Sequence, residues 1–144
     1  MATTLPKTEK ISDKDRFRIF VDECEYWLEK FNLKSWTMAY EFSDDYSEDW
    51  ENDSLAMLRW NTGARRATIW LNENWPEDEI SCFQIRRSAF HEVFELLLAD
   101  LVSIARDRFV FEKAIESEIH RIVRTLENVV FPDNYARRKV SKKL

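Results

Sequence analysis

The 144-residue chain predicts an α+β domain: an N-terminal helix, a three-stranded, mainly antiparallel sheet, then two long packed helices. Three observations carry that prediction. Apolar residues recur at spacings of three and four near the start and through the last third; three short runs between them alternate and are rich in aromatic residues; and the strands are grouped rather than interleaved with helices. At 44% hydrophobic and 14% aromatic, with 34% charged residues, the chain has material for a core and a solvated exterior. The length suits one domain, read as residues 13–131 between a flexible tail (1–12) and a basic one (132–144).

The first helix is expected over about residues 13 to 31. Ser12 is a suitable N-cap, and Phe17, Phe20, Val21, Cys24, Trp27, Leu28 and Phe31 follow the helical period. "WTMAYEF", about 36 to 42, alternates as a strand does. The acidic, turn-rich "SDDYSEDWENDS" reads as a solvated connector, since its carboxylates lack the spacing and the glycine of a calcium loop. "LAMLRW" and "ATIWLN" supply strands two and three around "NTGARR", whose glycine and polar residues suit a hairpin turn decorated by Arg65 and Arg66. Trp75-Pro76 ends extended pairing, and a long helix over about 79 to 107 precedes a second over about 110 to 130.

Composition removes several function classes. A single glycine, Gly63, leaves no material for a glycine-rich phosphate loop. Cys24 and Cys82 form no CxxC pair, which points to reduced thiols in a cytoplasm rather than to a disulfide or thiolate-zinc framework. The N-terminal residues read as neither signal peptide nor anchor, and no run reaches the length of a membrane span. Net charge is −5, while "RRKVSKKL" carries five positive charges, so the remainder holds about −10. That tail offers a weak route to nucleic acid; a solvated end is the simpler reading.

Chemistry concentrates in the last two helices, which hold both histidines. Counting about 100° per residue places Phe90, Phe94, Leu97, Leu98, Leu101 and Ala105 on one apolar face, His91 and Glu95 together at its margin, and Glu92 toward the polar side. In the second helix Ile115, Ile119, Ile122, Val123, Leu126 and Val130 make the apolar face, with Glu116 and His120 again one turn apart at its margin. If the helices pack antiparallel, the two His–Glu pairs converge. Two imidazoles and two carboxylates would suit zinc, with iron or manganese also compatible. Glu92 would then accept a proton from a metal-bound water.

The string "HEVFE", residues 91 to 95, resembles the HExxH helix of zincin-like metallopeptidases. The element order resembles the reduced zincin core of small bacterial and phage-encoded peptidase-like proteins, over about residues 13 to 130. The resemblance implies that His91 is the first metal ligand, Glu92 the general base and Glu116 a third ligand from the next helix, with Glu118 the alternative. It also implies that "ATIWLN" is the edge strand against which an extended peptide pairs. The departure is Glu95 at the place of the second histidine, which adds negative charge and weakens Lewis acidity, with His120 available to supply the missing nitrogen. The implied function is a metal-dependent peptidase, or a degenerate relative that keeps the scaffold and binds a protein or peptide. The alternative is a non-enzymatic phage or mobile-element protein that binds and inhibits a host protein.

Overall fold

The computed structural model describes residues 10–43 and 54–130; the two tails, apart from residues 10–12, and most of the acidic connector lie outside them. Helix α1 (Asp13–Lys30) starts as expected, because the Ser12 hydroxyl accepts the Asp15 amide hydrogen and Asp13 and Asp15 place negative charge in the first turn. Arg16, Phe20, Cys24 and Leu28 form its buried stripe. It closes at Asn32, which adopts a left-handed backbone (φ 54°) that asparagine tolerates better than most side chains.

Strands β1 (Thr37–Ser43), β2 (Ala56–Asn61) and β3 (Arg66–Asn72) form a sheet in the order β1-β3-β2. The tight turn makes β2 and β3 antiparallel, but β1 runs parallel to β3, so the sheet is mixed rather than mainly antiparallel. Residues 67–72 are therefore the central strand and not the edge, which corrects the expectation; β2 is the antiparallel edge. Alternation shows which face of a strand is buried but not which neighbours it has. What marks β3 as central is depth: Ala67, Ile69 and Leu71 are all at or below 3% exposure. Met38, Tyr40 and Phe42 of β1 and Ala56, Leu58 and Trp60 of β2 stand opposite these three on the core face. On the other face the Trp70 indole donates to the Glu41 carboxylate and Arg59 lies 5.8 Å over the same ring.

The single helix expected over 79 to 107 is three pieces: a 3-10 turn (Glu77–Glu79), α2 (Cys82–Leu97) and α3 (Ala99–Arg106). Ser81 caps α2 by accepting the Gln84 amide hydrogen. At the break, the Leu97 carbonyl accepts a hydrogen bond from the Arg121 guanidinium at 3.0 Å, so a side chain of α4 (Glu112–Val130) meets a backbone group there. Helices α1 and α2 cover one face of the sheet, with Phe20, Cys24, Leu28, Ile85, Ala89, Val93 and Leu96 meeting β3 in the core.

A polar network ties the helical hairpin to the sheet. Arg65, with φ 51°, bonds Asp100 at 2.6 Å and Ser35 at 2.8 Å, and its guanidinium lies 4.1 Å over Trp36. Asp100 also faces Arg121, which pairs with Glu118 at 2.9 Å. Among the described residues no helix is long and apolar enough to cross a membrane.

Candidate functional site

Helix α2 is rotated from the phase expected of it. Its buried side chains are Ile85, Ala89, Glu92, Val93, Leu96 and Leu97. Of the expected face, Leu97 is buried, while Phe90 and Phe94 sit at the margin, their rings packed with each other and with Trp27 and Phe31 of α1. The expected face follows one helical phase through Leu98, Leu101 and Ala105, whereas the helix is interrupted at Leu98. Phased from Ile85, the sequence puts Glu92 in line with Ala89, Val93 and Leu96, and that signal identifies it as an inward carboxyl.

Glu92 therefore does not lean toward the polar side. It is 6% exposed, and its carboxyl is pushed up to about 8, first by burial and then by the charge of Glu95. Beneath it in α1 the Cys24 thiol is pushed upward as well, by burial and then by the negative charge of Glu92. His91 and Glu95 point outward, with side chains 66% and 48% exposed and Nε2 to Oε1 at 3.1 Å.

These three residues line one groove of about 580 Å³. Its far wall is Leu55 and Ala56, where the chain enters edge strand β2, and Phe90 and Phe94 give it apolar surface. The groove thus combines an edge strand, an imidazole–carboxylate pair, two aromatic rings and a buried acid. Sequence reading missed the β2 wall, because the edge was assigned to the wrong strand, and it missed Asp100 as the centre of the arginine network.

The remaining predicted residues lie elsewhere. Glu116 and His120 are exposed on α4, and His120 lines a separate shallow depression with Ser117 and Arg124. Glu118, the alternative ligand, is engaged by Arg121. Among the described residues no three His, Cys, Asp or Glu side chains gather closely enough to hold a metal ion. In this conformation the set His91, Glu95, Glu116 and His120 does not fit zinc, iron or manganese, since only the first two are brought together. The chain matches no protein-family model, no curated protein and no solved structure.

Proposed function

We propose that this chain is a degenerate zincin-like protein that binds an extended segment of a protein partner in the groove between β2 and α2. The observation that carries the reading is the meeting of the β2 entry (Leu55, Ala56) with His91, Glu92 and Glu95 in one groove. The Leu55 carbonyl is already taken by the Asn72 amide and the Trp75 indole. From Ala56 onward, however, an edge strand turns alternate backbone donors and acceptors outward, so a peptide laid beside it gains main-chain hydrogen bonds while the α2 wall contacts alternate side chains. Phe90 and Phe94 favour an apolar side chain; the exposed His91–Glu95 pair favours polar groups at the rim. The role that the resemblance gave to residues 67–72 passes to β2.

Glu92 supports the same reading from energetics. A carboxyl held at 6% exposure in a core position costs stability that Leu or Gln there would not, and such costs concentrate where a site uses the group. As a protonated acid it is a hydrogen-bond donor to a peptide carbonyl at the groove floor.

The test is selection of peptides from a randomised library on the immobilised full chain and on His91→Trp, whose exposed position lets the indole fill the groove without disturbing the core. Enrichment of extended sequences by the wild type and not by the variant is expected. Equal enrichment on both refutes the groove as the site. Metal content of tag-free protein is measured in parallel: zinc, iron or manganese held by the wild type and lost from a His91→Ala, His120→Ala double variant would favour a metallopeptidase instead.

A further inference from the structure

The outer surface of α4 is a second region with more apolar exposure than a solvated helix carries. Ile122 is buried and Leu126 and Val129 pack on the core, yet Ile119, Val123 and Val130 are 47%, 44% and 58% exposed. With Leu126 they follow the four-three-four spacing of a helix-pairing seam over the last two-thirds of α4, about 17 Å, and the two preceding positions of the same stripe hold the exposed Glu112 and Glu116. At the start of α4 the hairpin turn adds Phe109 and Phe111, 88% and 81% exposed. Those two rings alone present on the order of 300 Å² of surface, comparable to the whole largest apolar patch of a typical monomer, about 300–600 Å². With the seam and its flanks the surface approaches the roughly 800 Å² that each partner gives to a stable complex.

The charges beside the seam point to what covers it. Lys113, His120 and Glu127 are exposed and seven residues apart, so they form one flank of the seam. A two-fold axis perpendicular to the helix reverses the order along that flank. It sets Lys113 of one copy opposite Glu127 of the other, Glu127 opposite Lys113, and His120 opposite itself. In the same arrangement Ile119 meets Val123 across the axis, while Leu126 and Val130 lie toward the aliphatic stems of Glu116 and Glu112 of the second helix, beside Phe111. A parallel pair turns this flank toward the opposite flank, Ile115, Ile122 and Val129, and leaves both charges without a counterpart.

We infer that the chain pairs with a second copy of itself through α4, the two helices antiparallel about a two-fold axis beside His120. This surface is distinct from the β2–α2 groove, so the pairing stands or falls separately from peptide binding. An isologous contact of this kind closes on itself and buries the seam without leaving a further sticky end.

Sedimentation equilibrium of the full chain tests it. The wild type is expected to sediment at twice the chain mass, and Ile119→Glu/Val123→Glu at the chain mass with unchanged circular dichroism. Because those two side chains are half exposed, a second pair of variants guards against misfolding: Lys113→Glu and Glu127→Lys alter only exposed residues. Each alone is expected to weaken self-association about tenfold, and an equimolar mixture is expected to form heterodimers in preference to either homodimer. A monomeric wild type, or charge variants that dimerise unchanged and mix at random, overturns the inference.

Discussion

Replacing Glu92 by glutamine isolates the energetic consequence of a carboxyl at the floor of the groove. In the folded chain its pKa stands at about 8 against an ordinary 4.5. Between those values the folded state holds a proton that the unfolded state has released. Stability therefore falls as pH rises through that window and levels off above about 8. At about 1.36 kcal/mol per pH unit, the loss reaches about 5 kcal/mol on the alkaline side and about 3 kcal/mol at pH 7. Against a total of about 5–15 kcal/mol for a domain, that is a large fraction. Glutamine has nearly the same shape and no charge in this range, so Glu92→Gln removes the dependence. The assay is urea unfolding of both proteins followed by tryptophan fluorescence, for which the buried Trp36 and Trp75 are reporters. The expected result is near-equal stability at about pH 4.5, the variant ahead by about 3 kcal/mol at pH 7 and by about 5 kcal/mol above pH 8. Taking the difference between the two proteins cancels the titrating groups that do not interact with Glu92, leaving those coupled to it, Glu95 and, at higher pH, Cys24. Parallel pH curves would refute the placement of Glu92 in a desolvated site.

Three further outcomes follow from other parts of the fold. Arg65→Ala is expected to cost about 2–3 kcal/mol in urea unfolding, because it removes the Asp100 and Ser35 contacts and the stack on Trp36 and leaves alanine at φ 51°. Arg65→Lys should recover only a minor part, since an ammonium cannot present the planar fork. Ser12→Ala should cost about 1 kcal/mol through loss of the α1 cap. In the native protein a thiol reagent should titrate one cysteine, the exposed Cys82, and reach Cys24 only in denaturant, because burial keeps the latter as a neutral thiol.

The elements were legible in the sequence wherever local chemistry decides them. The Ser12 cap, the helical spacing from Phe20 to Leu28, and the turn around Gly63 each act over a few residues and appear where expected. What depends on partners was not legible. A strand's alternation is the same at the edge and in the centre, so it could not check the edge position that the resemblance implies for residues 67–72, where Ile69 and Leu71 are fully buried. The break at Leu98 carries neither proline nor glycine; it coincides with the hydrogen bond from Arg121, far along the chain, to the Leu97 carbonyl. Missing that break shifted the phase of α2 and turned Glu92 the wrong way. On α4 the apolar pattern was correctly seen, but only Ile122 is buried, because one packed helix covers only part of so wide a stripe.

Backbone hydrogen exchange along β2 tests the account most directly. With a peptide selected on the wild-type chain present at saturation, the outward-facing amides of Ala56–Asn61 should exchange more slowly, and amide resonances around His91 and Glu95 should shift, while the β1 edge stays unchanged. Protection confined to β1 or to α4, with β2 exchanging as in the free protein, would contradict the groove as the place where a partner segment pairs.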